Sequence, residues 1–260
     1  MNLNKEEIEK CNAPSELGDA LRESAKKGKL DLVQLIISKD LADINYNNMS
    51  KDFANEPTPL QWAVIRGNLD IVKLLLENGA DVSITDKWGY RPFNEAVEAA
   101  NDRWGYRALD KSIGKHDKEI LELVKSYEPK EWHEREWCIE RLKKLELPND
   151  VIEFLGSENR RIDLQESEWT NYVEFYALDE VRTFKWKDMT LVDLVYDVDD
   201  YDNIGVISWI PEHKSFACLD MEHGMFGFIK EMTWSEFMKS PAKFIDGSLS
   251  WKFFDLDDEE

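Results

Sequence analysis

The chain has 260 residues, 42% of them hydrophobic, and a formal net charge of −21. That length suggests two domains of ordinary size, no apolar run reaches the ~18 residues of a membrane span, and the charged start MNLNKEEIEK lacks the apolar segment of a secretory signal. Cys11, Cys138 and Cys218 are odd in number and scattered, which argues against a disulfide framework or a zinc cluster and fits a reducing cytoplasm.

The charge is unevenly spread. Residues 1–130 hold 23 acids against 19 Lys and Arg, net −4, and residues 131–260 hold 31 against 14, net −17. A field of that sign repels nucleic acid and anionic lipid and attracts a basic partner. The plainer alternative is solubility, since acidic surfaces resist aggregation without binding anything basic.

Residues 1–14 read as a short polar helix or a lead-in. Residues 15–46 read as a helix from Leu17 to Ala25, a turn at Gly28, and a second helix carrying Leu30, Leu32, Val33, Leu35, Ile36 and Ile37. The polar stretch NNMSKDFANEP follows and lengthens the next loop. Thr58-Pro59 then opens a helix whose buried side is Leu60, Ala63 and Val64. Thr suits the cap and Pro an early helical position. Gly67 turns the chain into a helix with Ile71, Val72, Leu74, Leu75 and Leu76, and Gly79 ends it. One such pair cannot bury its own apolar surface, so neighbours of the same kind are expected.

They follow at a spacing of about 33 residues. Arg91-Pro92-Phe93-Asn94-Glu95-Ala96 repeats the Thr58-Pro59-Leu60 frame, and Gly28 to Ile37 mirrors Gly67 to Leu75. Before a final outer helix at Lys118 to Tyr127, the turn Asp86-Lys87-Trp88-Gly89-Tyr90-Arg91 recurs as Asp102 to Arg107. TPLQWA, GNLDIVKLLLENGADV and this period resemble ankyrin repeats over the first half of the chain. The resemblance implies stacked helix pairs with a concave face that binds a protein partner. By position it puts Lys87, Trp88, Tyr90 and Glu98 on that face, with Trp104 and Tyr106 on the second copy of the turn. Tyr, Trp and Arg are the side chains that anchor interfaces. The other reading of Trp88 and Trp104 is packing under the insertion or against the second domain.

Glu128-Pro129-Lys130-Glu131 marks the boundary between a domain of residues 1–130 and one of residues 131–260. Trp132 to Leu147 reads as a helix, Leu147-Pro148 breaks it, and Val151 to Leu155 continues as another that Gly156 ends. From Tyr172 the pattern is that of strands: Tyr172 to Tyr176, a hairpin of Ile204 to Ile210 and Ser215 to Met221, then Met225 to Ile229. Thr233 and Glu236 have capping-box spacing at the start of a closing helix.

ELPNDVIEFLGSENRRIDL, YVEFYALDEV and the hairpin ending SFACLDM resemble the SUKH superfamily over residues 135–250. That resemblance implies an α+β domain with a mostly antiparallel sheet. It also implies a bacterial immunity role, in which the protein binds and blocks a co-encoded, nucleic-acid-acting toxin.

Catalytic chemistry finds no foothold. His116, His133, His213 and His223 form no metal pair and no nucleophile motif, and there is neither a Walker loop nor a dinucleotide fingerprint, so no cofactor, no metal and no enzyme activity are expected. An EF-hand loop starting at Asp197 would need Gly where Asp202 stands and Glu where Ser208 stands. The stretch from Asp188 to His213 has no Lys or Arg, and its Asp-rich part reads as a displayed loop. Asp197, Asp199, Asp200, Tyr201 and Asp202 are its partner-binding candidates, facing a basic protein rather than nucleic acid or membrane. The expected function is toxin neutralisation by surface fit, and the alternative is an ankyrin scaffold joining other proteins.

Overall fold

The structure is a computed structural model that describes residues 3–47, 56–101, 115–199, 205–220 and 223–254. It divides into two compact units, residues 1–129 and 130–260.

Unit 1 is helical. Among the described residues a short α1 (Lys5–Lys10) precedes three helix pairs: α2 (Pro14–Lys26) with α3 (Leu30–Ser38), α4 (Pro59–Ile65) with α5 (Leu69–Glu77), and α6 (Pro92–Ala100) with α7 (Asp117–Tyr127). Within each pair the helices pack on each other, and α4 packs against both α2 and α6. The expected repeats are therefore present as stacked pairs.

The sequence explains each pair. Thr58 Oγ1 accepts from the Gln61 amide at 3.2 Å while Gln61 Oε1 accepts from the Thr58 amide at 2.8 Å, so both orphan donors at the start of α4 are satisfied. Gly28 and Gly67, both at φ +67°, make the reversals between inner and outer helices. Asn68 ties two repeats together there: its Nδ2 donates to the Ala25 carbonyl at 3.0 Å. Leu17, Leu21, Val33, Ile36, Leu60, Ala63, Val64, Ile71, Val72 and Leu75 are all within 2% of complete burial, one apolar seam shared by adjacent pairs. Arg22, itself buried, donates to the Pro57 carbonyl at 3.0 Å and pairs with Glu56, which fixes the entry to the second repeat.

Unit 2 opens with a 3-10 turn (Lys130–His133), α8 (Arg135–Lys144) and α9 (Asn149–Leu155). The single helix expected from Trp132 to Leu147 is thus divided and shorter. Glu134 is extended (φ −84°, ψ 132°) and interrupts it, and Glu146 at φ 54° ends it. Among the described residues eight strands follow: β1 (Arg161–Asp163), β2 (Tyr172–Phe175), β3 (Arg182–Trp186), β4 (Met189–Asp193), β5 (Val195–Val198), β6 (Ser208–Ile210), β7 (Ser215–Asp220) and β8 (Met225–Phe228). They form two antiparallel sheets, β1-β2-β5 and β3-β4-β6-β7-β8. Two helices close the unit, α10 (Trp234–Lys239), capped by Thr233, and α11 (Pro241–Leu249).

Leu194 joins the sheets. It is fully buried between β4 and β5, its amide donates to the Ile207 carbonyl at 3.1 Å, and its carbonyl accepts from the Tyr176 amide at 3.1 Å. The core behind them is aromatic. Phe175 meets Trp234 edge-on at 5.4 Å, and Trp234 stacks on Phe237 at 4.9 Å.

Candidate partner-binding surface

The turn between α5 and α6 is built around Asp86. Its Oδ1 accepts from the Trp88 amide at 2.8 Å and the Tyr90 amide at 2.9 Å, and its own amide donates to the Tyr90 carbonyl at 3.0 Å. Gly89, at φ +76°, supplies the left-handed residue the reversal needs. The next link reaches across repeats: Gln61 Nε2 donates to the Tyr90 carbonyl at 2.6 Å. The tip is therefore held by its own repeat and by the one before it.

This geometry sorts the residues that the sequence nominated. Lys87 is exposed and Trp88 half-buried, with the Lys87 ammonium 4.6 Å from the Trp88 ring centre. Tyr90 and Glu98 are corrected. They are 5% and 2% exposed, so neither is presented to solvent. Tyr90 is buried at the end of the Asp86 turn, and Glu98 lies on a stretch of α6 in which Ala96, Val97 and Ala99 are also buried. Trp104 and Tyr106 lie outside the described residues.

The Asp-rich stretch needs a similar correction. Asp193 is fully buried and bonded to Arg182, its Oδ2 accepting from Arg182 Nη2 at 2.6 Å and Nε at 3.1 Å. Asp197 sits in β5 opposite Glu174 rather than on a loose loop, and it accepts from the Tyr172 hydroxyl at 2.6 Å. Asp199 accepts from Asn171 Nδ2 at 2.6 Å. Alternation along a strand makes these neighbours: Arg161, Glu174 and Asp197 are in register across β1, β2 and β5, while Ile162, Val173 and Val198 alternate to the other face. Burial, together with the hydrogen bond to Asp197 and its charge, pushes the Tyr172 phenol up to about 12. Asp200, Tyr201 and Asp202 lie outside the described residues.

One surface residue escapes the sequence reading. From Pro59 to Val64 every α4 residue is buried except Trp62, which is half-exposed. The Lys26 ammonium lies 4.0 Å from its ring centre and the Arg66 guanidinium 5.9 Å. The helical pattern marks Leu60, Ala63 and Val64 as the buried side, so the signal was an aromatic residue left off the apolar face.

Among the described residues no group of three or more His, Cys, Asp or Glu is placed to hold a metal ion, and no helix is long and apolar enough to cross a membrane.

Residues 17–130 match the family model for ankyrin repeats, in three copies. A 73-residue stretch, 28% of the chain, is 37% identical to palmitoyltransferase AKR1 of Lachancea kluyveri but spans only 9% of that protein. A 71-residue stretch is 42% identical to ankyrin repeat and SAM domain-containing protein 6 of Rattus norvegicus, 27% of the chain and 8% of the relative. Over 96 residues the chain is 30% identical to Notch-regulated ankyrin repeat-containing protein A of Danio rerio, which covers 36% of the chain and 80% of that protein.

Proposed function

Because the chain belongs to the ankyrin-repeat proteins, we propose that it is an adaptor, acting by binding another protein rather than by making or breaking bonds. Ankyrin repeats imply protein–protein interaction. The adaptor reading goes further and gives the repeats their own surface for it. The observation that carries it is the pinned turn at Asp86. Gln61 and Asp86 hold the tip rigid, while Lys87 and Trp88 remain outside the core. A preorganised aromatic side chain beside a cation costs little entropy to dock, which is the economy interface anchors exploit. The test is affinity capture with the full chain, followed by quantitative binding of the recovered protein. Trp88→Ala should weaken that binding at least tenfold with the thermal midpoint unchanged. Unchanged affinity for both Trp88→Ala and Lys87→Ala sinks this use of the turn.

A second reading rests on unit 2 and its resemblance to the SUKH superfamily. In it, the protein neutralises a co-encoded toxin, and the acidic sheet face presents Glu174, Asp197 and Asp199 to a basic cleft. What favours it is the placement of two carboxylates, Glu174 and Asp197, directly opposite each other on β2 and β5. Like charges so placed are destabilising unless a counter-charge arrives. Arg161, in register with Glu174 on the other side, offsets part of that cost. The curated relatives are eukaryotic ankyrin proteins, which favours the adaptor reading over this one. Reversing Asp197 and Asp199 to Lys discriminates. A partner that binds through this face is lost, and a partner of the repeats is kept.

A further inference from the structure

The N-terminal unit carries a surface whose charge opposes that of the protein as a whole. Trp62, Ile65 and Arg66 share the outer side of α4 at helical spacing, opposite Leu60, Ala63 and Val64. Lys26, at the end of α2, stands 4.0 Å from the centre of the Trp62 ring, and the Arg66 guanidinium 5.9 Å from it. Among the described residues neither cation makes an ion pair. The Glu23 carboxylate offsets part of the Lys26 charge, but its hydrogen-bonded partner is Lys27. Lys27 is matched by Glu23 at 3.1 Å. Burial alone would raise the Glu23 carboxyl, but the Lys27 hydrogen bond and the charges of Lys27 and Lys26 hold it below the ordinary carboxylate range. Glu95 holds the position in α6 that Trp62 holds in α4, three residues after the opening proline.

We propose that this patch, Trp62 with Lys26 and Arg66 beside it, is a docking site for an acidic peptide segment carrying an apolar anchor. The inference rests on the adaptor reading and narrows it to a partner chemistry. A carboxylate entering between the two cations gains charge-assisted hydrogen bonds from both. The part of the indole that the cations leave uncovered, together with Ile65, takes the apolar side chain. The cations already lie over the ring, so the site is ordered before the peptide arrives. Bulk charge predicts the reverse preference. A protein of net −21 should repel an acidic peptide everywhere except where local cations outweigh the field.

The experiment uses the full chain, a dye-labelled Glu/Phe peptide, its Lys/Phe counterpart and a single-stranded oligonucleotide, each followed by fluorescence anisotropy over a salt series. The inference expects saturable binding of the Glu/Phe peptide that weakens with salt. It also expects at least a fivefold loss in Lys26→Glu/Arg66→Glu and in Trp62→Ala, with circular dichroism and thermal midpoint unchanged. Equal or tighter binding of the oligonucleotide, or of the Lys/Phe peptide at the same residues, overturns it. So does Glu/Phe binding that the variants leave intact. A captured protein partner that these variants still hold, but that Trp88→Ala loses, ends the acidic-peptide inference while leaving the adaptor reading standing.

Discussion

Gln61 Nε2 donates to the Tyr90 carbonyl at 2.6 Å, so one side chain on an inner helix fixes the turn of the following repeat. The same side chain closes the capping box with Thr58 through its Oε1. Both bonds are buried, which makes Gln61 the mechanical link between the second and third repeats. Gln61→Ala leaves the Thr58 amide unsatisfied and takes one of two donors from the Tyr90 carbonyl, which keeps the Asp86 amide, and should cost about 1–3 kcal/mol. Urea unfolding of the full chain followed by circular dichroism checks it, and a loss under ~0.5 kcal/mol contradicts this role for Gln61.

Tyr46 packs its ring against the backbone of α2 at Gly18, where an added Cβ would overlap the ring. Gly18→Ala must displace Tyr46, a packing cost of roughly 1–3 kcal/mol. Ala normally stabilises a helix interior by up to about 1 kcal/mol over Gly. A lowered melting temperature would show that the contact outweighs propensity, and a raised one that Tyr46 is free to move aside.

Arg182 and Asp193 are paired with no solvent exposure on either side chain, and the Gly205 amide also donates to Asp193 at 3.3 Å. Removing one partner of such a pair takes the counter-charge from a buried ion, so Asp193→Leu should destabilise unit 2 by about 3–5 kcal/mol. Arg182→Leu with Asp193→Leu should recover much of that loss. A double variant as unstable as the worse single variant would refute the pairing argument.

Tyr172 sets an alkaline limit. Its phenol is raised from 10.0 to about 12 in the folded chain, so the folded state holds this proton more tightly than the unfolded state does. That contribution is complete below pH 10.0 and is lost as pH rises toward about 12. Stability measured by denaturant unfolding should therefore fall over that window, and less steeply in Tyr172→Phe. An ultraviolet titration of the phenolates should find one fewer group ionising late in the variant. Identical slopes for both proteins would contradict the Asp197 contact.

The repeats were legible because their signals are local. Thr58-Pro59, Gly67 and Gly79 each specify a backbone step, and the apolar period specifies the face each helix buries. The second half gave up the helices at 135–144, 149–155 and 234–239 and the β6–β7 hairpin, yet β1, β3, β4, β5 and α11 are named nowhere in the sequence reading. β4 and β5 read together as one run, Leu191 to Val195, because the chain changes sheet at Leu194 without a turn residue to mark it. Burial was the other blind spot. Asp193 falls inside the acidic stretch, and nothing local marks it as buried because its partner, Arg182, lies on a neighbouring strand. Tyr90 and Glu98 were placed by their positions in the repeat, whereas burial depends on what stacks on them. Trp62 was visible as a letter, but the cations beside it come from two helices and meet only in space.

The central claim is that the stacked repeats are the binding element. Hydrogen exchange of the full chain, alone and saturated with the protein it captures, tests it most directly. The account predicts slowed exchange over residues 59–66 and 86–91, with residues 161–198 unchanged. Protection confined to residues 161–198, with the repeats exchanging as in the free chain, would contradict it.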